Sequence, residues 1–113
     1  MLLNLLCKII RKTSSNAATD FSTSAVRFGL IHIDGNHDTS FVMEDIKNYV
    51  PLLDKNGFVV LDDVSWDSVI PAFSYLSQNL IFVNKLIDKE NDFALFAKNL
   101  TKREVDIAKL LFG

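Results

Sequence analysis

Two short apolar runs, each ending in acidic residues, constrain the fold of this chain most. The first covers residues 28–33 and is followed by Asp34, and the second covers residues 58–61 and is followed by Asp62 and Asp63. A segment with helical spacing separates them, so we predict two parallel strands joined by a crossover helix. In such a sheet the carboxyl ends of the strands share one edge, where ligands bind.

The crossover segment has the features of an amphipathic helix. Asp38 or Thr39 can cap its amino end by accepting a hydrogen bond from a backbone N–H group. Its apolar residues follow helical spacing and predict one buried face: Val42, Ile46, Tyr49, Val50 and Leu53. Pro51 lacks the N–H group that donates a backbone hydrogen bond, so we predict that the last turn of this helix kinks or starts afresh there. Asn56 and Gly57 tolerate the left-handed conformation of a helix terminus, so we predict the end of the helical segment there.

The rest of the chain completes an α/β pattern. Residues 13–24 are rich in Ser, Thr, Ala and Asn, which favours a loop that contains at most one helical turn. Residues 80–86 and 93–98 predict two further strands, and the short polar tract between them favours an antiparallel hairpin. Parallel crossovers followed by an antiparallel pair are typical of an open α/β sheet with flanking helices.

Two more helices are predicted around these strands. Ser68 can cap the first, and the side chains expected to face the sheet are Ile70, Phe73 and Leu76. Thr101 and Glu104 have the spacing of a capping box and predict the start of a closing helix. Its inner stripe would be formed by Val105, Ala108 and Phe112.

Composition narrows the class of protein. The chain has 113 residues, enough for one domain, and 49% of them are hydrophobic, so it should fold. The net charge is −2 and there is no basic block, which argues against nucleic acid as the main partner. No apolar run approaches the roughly 18 residues of a membrane span. The single cysteine, Cys7, favours a reducing compartment, and we predict a cytoplasmic protein.

The acidic ends of the first two strands suggest a metal site. Asp34, Asp62 and Asp63 offer oxygen ligands of the kind that magnesium, manganese and calcium prefer. His37 would lie nearby, and a histidine can accept a proton near neutral pH. An alternative without metal stays open, because an aspartate after a strand often only caps the next helix. We interpret His32 as a packed strand residue. Trp66 is interpreted as core rather than as a platform for substrate, with the alternative that it lines a pocket, because it follows the acidic pair.

These motifs resemble those of class I S-adenosylmethionine-dependent methyltransferases, in particular the metal-dependent O-methyltransferase type. The signature of that type reads roughly IDGxHxYxxVxxD and then LLxxGGxxxxDD. The resemblance covers residues 28–100 and is specific over residues 28–66. The matching positions are residues 28–37, Val42, Asp45, residues 51–53, residues 57–63 and Trp66. It implies that the four strands correspond to strands four to seven of a Rossmann-like methyltransferase sheet.

The resemblance also implies roles for individual residues. Asp34, Asp62 and Asp63 match the ligands of a divalent cation such as magnesium. His37 matches the proposed general base that accepts the proton of the substrate hydroxyl. The family transfers a methyl group from S-adenosylmethionine to a hydroxyl of a small molecule or sugar, a reaction in which positioning supplies most of the rate.

The sequence also departs from that family. Thr39 stands where the family usually has tyrosine, and Asn56 replaces the first glycine of a pair. The family binds its cofactor on a glycine-rich turn after its first strand, and this chain contains no GxG sequence. We therefore expect residues 28–113 to form the C-terminal half of a methyltransferase-like domain, after a poorly defined remnant at residues 1–27. Such a chain is expected to be truncated and inactive alone, and its cofactor-binding residues cannot be assigned from the sequence.

Two functions from other classes stay open. Residues 35–38 spell GNHD, a motif of metallophosphoesterases, although the DxH and GD motifs of those hydrolases do not precede it. Alternatively, the chain is a non-catalytic half-domain that associates with another chain, or with itself, through an incomplete sheet edge.

Overall fold

The computed structural model describes residues 13–34 and 38–111. Within these residues, four helices and four strands follow one another in this order: α1 (Ser14–Thr23), β1 (Phe28–Ile33), α2 (Thr39–Tyr49), β2 (Leu53–Asp62), α3 (Ile70–Asn79), β3 (Ile81–Ile87), β4 (Asp92–Ala97) and α4 (Lys102–Leu111). Short 3₁₀ turns lie at Val50–Leu52 and Asp67–Val69. None of the helices in the described ranges has the length and apolar character needed to cross a membrane.

The strands form one mixed sheet in the order β1-β2-β4-β3. β1 and β2 are parallel, whereas β4 is antiparallel to both of its neighbours, β2 and β3. The predicted α/β class, with two parallel strands, an antiparallel terminal pair and flanking helices, is confirmed. The sequence pattern did not predict the order of the strands, in which β4 lies between β2 and β3.

The crossover between β1 and β2 ends earlier than predicted. Asp38 caps α2, and its carboxylate accepts a hydrogen bond from the Ser40 backbone N–H at 2.9 Å. The helix stops at Tyr49, and Pro51 lies in the 3₁₀ turn that follows, so the predicted break is confirmed. The predicted helix end at Asn56 and Gly57 is wrong, because both residues lie in β2.

The extra residues of β2 fit against β1 through an irregularity in the pairing. Phe28 pairs with Leu53, but Leu30 pairs with Phe58, so β2 uses five residues where β1 uses two. Leu53 is 1% exposed, which explains why it looked like part of a buried helical face. The apolar pattern correctly predicted that Leu53 is buried, but it wrongly predicted a helix where Leu53 begins β2.

The loop predicted at residues 13–24 is a helix instead. Thr13 provides its cap, since the Thr13 hydroxyl accepts a hydrogen bond from the backbone N–H three residues on, at 3.2 Å. The helix packs on α2, and its buried residues are Ala17 and Ala18. The Tyr49 hydroxyl donates to the Ser14 carbonyl at 2.8 Å, and burial, followed by the charge of Asp45, raises the pKa of Tyr49. Tertiary packing on α2 thus outweighs the weak helical tendency of the polar sequence.

The hydrophobic core lies between the sheet and helices α2 and α3. Its buried members are Ile33, Val42, Ile46, Leu53, Val59, Leu61, Val64, Val69, Ala72, Leu76, Ala94 and Phe96. None of the buried residues in the described ranges is polar or charged. Three aromatic rings, from Phe73, Phe82 and Phe96, lie 5.5–5.7 Å apart and make the central packing contact between α3, β3 and β4.

Not every residue predicted to face the core does so. Ile70, at the start of α3, is 55% exposed, so its predicted position against the sheet is wrong. The predicted capping box is confirmed: Thr101 Oγ1 accepts from the Glu104 N–H, and the Thr101 N–H donates to Glu104 Oε1, both at 3.2 Å. Phe112, predicted on the inner stripe of that helix, lies outside the described residues.

β1 is less covered than its apolar sequence predicted. Leu30 is 62% exposed and the His32 side chain is 52% exposed, whereas Ile33 on the opposite face is only 6% exposed. The expectation that helices cover this strand on both faces is therefore wrong for the part of the chain that the structure describes. One face of β1 packs on the core, and the other presents a histidine to the solvent.

Gly57 occupies a position in β2 where a side chain does not fit. An added Cβ would lie 2.6 Å from Leu53 Cδ1 and 3.0 Å from the Asp54 carbonyl oxygen, and Leu53 is fully enclosed. We expect Gly57→Ala to lower the free energy of unfolding by about 1–3 kcal/mol, the usual cost of overpacking. Urea denaturation followed by circular dichroism measures this change.

Gly29→Ala is the matched control, because nothing lies within 4 Å of the Cβ that it would add to β1. Its effect should stay within about 0.5 kcal/mol, as for other exposed substitutions. Equal effects of the two substitutions would contradict the close packing of Leu53 on Gly57.

Candidate functional site

The carboxyl ends of β1 and β2 bring three potential metal ligands together. They are His32, Asp34 and Asp62, each of which offers one ligand atom, and these atoms all lie within 4.8 Å of one another. His32 Nε2 lies 2.8 Å from Asp62 Oδ2. The parallel register, in which His32 pairs with Val60, accounts for this contact. Since side chains alternate along a strand, His32 and Asp34 share one face with Asp62, which lies two residues beyond Val60.

His32 is the site residue that sequence analysis misread. It was interpreted as a packed strand residue, but its side chain is half exposed and contacts Asp62. The signal was present in the sequence, because His32 and Asp34 are two residues apart on one strand and therefore point the same way. The sequence pattern did not show that no helix of the described residues covers this face of β1 at His32.

Asp63 is not a member of this three-residue group in the described part of the chain. Its φ angle is 59°, in the left-handed region that aspartate tolerates better than most residues. Its backbone N–H donates to the Asp92 carbonyl at 2.7 Å, and its own carbonyl accepts from the Trp66 N–H at 3.0 Å. The chain therefore turns sharply at Asp63, immediately after Asp62 ends β2.

The segment that follows Asp34 leads into α2. His37, the predicted general base, lies outside the described residues. Asp38 comes next, and hydrogen bonds from the Ser40 hydroxyl and the Ser40 backbone lower the pKa of its carboxyl group. The cap keeps Asp38 ionised and engaged with the helix, which makes it an unsuitable proton acceptor at neutral pH.

A cavity of about 460 Å³ lies beside the acidic end of β2. Its lining residues are Asp62, Asp63, Trp66, Asp88, Lys89, Glu90, Asn91, Asp92 and Phe93. Trp66 is 49% exposed, so the interpretation of this residue as core is wrong. The turn between β3 and β4 forms the far wall, where backbone hydrogen bonds from Glu90 and then Asn91 lower the pKa of Asp88. The cavity is open, most of its lining residues are acidic or polar, and its two aromatic lining residues are Trp66 and Phe93.

The Asp92 side chain makes further hydrogen bonds in the same wall of the cavity. Asp92 accepts a hydrogen bond from the Ser65 backbone N–H at 3.0 Å and another from the Ser65 hydroxyl. These bonds tie the loop after β2 to the start of β4, so the cavity has fixed backbone on two sides.

Comparison with known families matches residues 3–64 of the chain to a methyltransferase domain. That match covers more than half of the 113 residues, so the chain belongs to this methyltransferase family. It includes β1, α2 and β2 and both acidic sequences at the sheet edge. It begins upstream of the resemblance predicted at residues 28–100, and it favours a methyltransferase over the phosphoesterase suggested by GNHD. No curated protein matches the chain.

Proposed function

We propose that this chain forms part of an S-adenosylmethionine-dependent O-methyltransferase that uses a divalent cation and acts on a hydroxyl of a small molecule or sugar. The observation that supports it most is the convergence of Asp34 and Asp62 at the ends of β1 and β2, within the residues that match the methyltransferase family. Family membership supports methyl transfer in general, and the two carboxylates support metal dependence.

The donor set fits a divalent cation. Asp34 and Asp62 provide two carboxylates at the ends of neighbouring strands. The resemblance to the family proposes Asp63, the next residue after Asp62, as a third oxygen donor. A cation held there would bind the acceptor oxygen and favour its ionised form. Rigid strands suit this role, because small displacements of ligands weaken a metal site.

His37 is proposed as the group that accepts the proton from the acceptor hydroxyl, by its match to the family's general base. The imidazole of His37 would accept the hydroxyl proton, and S-adenosylmethionine, when bound, would supply the methyl group from its sulfonium sulfur to the acceptor oxygen. Trp66 and the cavity beside it provide the surface on which an acceptor would be oriented.

The order of the strands supports the proposal that this chain binds the metal and the acceptor, whereas other residues bind most of the cofactor. β1, β2, β3 and β4 are proposed to correspond to strands four to seven of the family's sheet, with residues 28–113 as the acceptor and metal half. The two described glycines, Gly29 and Gly57, lie inside strands rather than in a turn that could approach a phosphate or sulfonium group. The cofactor is therefore proposed to bind mainly to residues other than these.

Metal binding is the direct test. Calorimetry with Mn²⁺ and Mg²⁺ should show binding to the wild-type chain, and Asp62→Asn should weaken it by about tenfold or more, since a charged ligand is lost. Asp54→Asn is the matched control, because Asp54 is exposed at the opposite end of β2. An equal affinity of Asp62→Asn and the wild type, or no binding by a folded wild type, would refute metal dependence.

A second candidate function is association without catalysis. In the described sheet β1 is an edge strand whose only neighbour is β2, and Leu30 on it is 62% exposed. An edge with unpaired backbone groups and an exposed apolar side chain favours pairing with another strand. Light scattering that gives the mass of an intact dimer would favour this candidate.

A further inference from the structure

The open face of β1 directs a nitrogen ligand at the same point as the two carboxylates. We propose that His32 is itself a metal ligand and that the site selects a later transition metal such as Co²⁺ or Zn²⁺ over Mg²⁺. This inference rests on the proposed function only for the presence of a cation at this edge. It adds a ligand that the sequence resemblance does not include.

The geometry of the pair fits coordination. His32 Nε2 and Asp62 Oδ2 are 2.8 Å apart. Two ligands at right angles around a metal, each about 2.1 Å from it, lie about 3.0 Å from one another. The two atoms are thus already at the spacing of adjacent ligands, and a cation can replace the shared hydrogen between them with little movement.

Asp34 completes the set from the same strand. Opposite ligands at about 2.1 Å from a metal are about 4.2 Å apart, so ligand atoms that lie within 4.8 Å of one another need only a small adjustment. Asp34 is exposed at the end of β1, where its side chain can make that adjustment. His32 and Asp62 lie within strands that pair in register, so their backbones are fixed before any cation binds.

The chemistry of the donors determines the metal. Mg²⁺ and Ca²⁺ prefer oxygen ligands alone, whereas imidazole nitrogen suits the later divalent metals. A site of one imidazole and two carboxylates therefore gains affinity for a transition metal and gains little for Mg²⁺. The alternative is a simple hydrogen bond between His32 and Asp62 on an exposed surface, with an oxygen-only site formed by the aspartates.

Metal titrations of the full chain separate these alternatives. Calorimetry with Co²⁺ and with Mg²⁺ is carried out on the wild type and on His32→Gln, with circular dichroism to verify folding. The His32 side chain is half exposed, so the substitution should leave the fold intact. We expect the Co²⁺ affinity of His32→Gln to fall about tenfold or more, and its Mg²⁺ affinity to change less than about threefold.

A spectroscopic measurement identifies the nitrogen. The sequence has two histidines, so Cu²⁺ bound to the wild type should show nitrogen hyperfine coupling from His32, His37 or both. Loss or reduction of this coupling in His32→Gln supports the proposal. Unchanged coupling in that variant, with loss in His37→Gln alone, overturns it.

The outcomes also distinguish this inference from the proposed function. If His32→Gln binds Co²⁺ as tightly as the wild type does, and also binds Mg²⁺ as tightly, His32 is not a ligand. The site would then consist of oxygen ligands alone. Failure of every cation to bind a folded wild type would refute the metal site altogether. A selective loss of Co²⁺ affinity in His32→Gln supports both.

Discussion

The 113-residue chain alone is expected to bind S-adenosylhomocysteine orders of magnitude more weakly than a methyltransferase domain that has a glycine-rich cofactor turn. Such turns allow the backbone to approach the cofactor closely, and a carboxylate after the next strand binds the ribose hydroxyls. The chain contains no GxG sequence. Each lost polar contact costs about 1–3 kcal/mol, so three of them at about 1.4 kcal/mol reduce affinity about 1,000-fold.

Calorimetry and thermal shift with S-adenosylhomocysteine measure this affinity, and light scattering on the same sample establishes whether the chain is a monomer. A methyltransferase domain with the glycine-rich turn is the positive control. Micromolar binding by the isolated monomer would contradict the prediction, and the residues before β1 would then have to provide the cofactor site.

Phe96→Ala is expected to have the largest effect on stability, a loss of about 3–5 kcal/mol in the free energy of unfolding. Phe96 is completely buried, and its ring lies 5.5 Å from that of Phe73 and 5.7 Å from that of Phe82. The substitution removes both aromatic contacts and leaves a cavity between α3, β3 and β4. A loss of this size is a large part of the 5–15 kcal/mol by which domains are usually stable.

Phe41→Ala is the control for that measurement, because Phe41 lies on α2 with 55% of its surface exposed. Its effect on urea denaturation should be below about 1 kcal/mol. A loss of stability at Phe96 no larger than the loss at Phe41 would show that the aromatic cluster is not the central packing contact between α3, β3 and β4.

The strands were predictable from sequence because apolar runs of the right length end in polar or acidic residues. Sheet order was not, since the position of β4 between β2 and β3 depends on contacts between distant residues. The helix α1 was missed because its stability comes from packing of Ala17 and Ala18 on α2 rather than from its own composition.

The candidate site also has residues that the sequence placed correctly and residues that it did not. Asp34 and Asp62 were predicted to lie together, because the ends of parallel strands meet at one edge, and the structure places them together. His32 was interpreted as packed because it lies within an apolar run, and Trp66 was interpreted as core because it is a large aromatic residue. The exposure of His32 depends on which face of the sheet the helices cover, and the exposure of Trp66 depends on the path of the loop after β2, neither of which a local sequence pattern records.

The position of β4 has a consequence for how the protein is made. β4 follows β3 in the chain but lies between β2 and β3 in the sheet, so β2 and β4 pair across a long stretch of sequence. A nascent chain that ends before Asp92 therefore holds β3 without a neighbour in the described sheet, attached mainly through α3. Because long-range pairing such as that of β2 with β4 forms slowly, the edges of β2 and β3 stay unpaired in the incomplete chain, and unpaired strand edges favour aggregation.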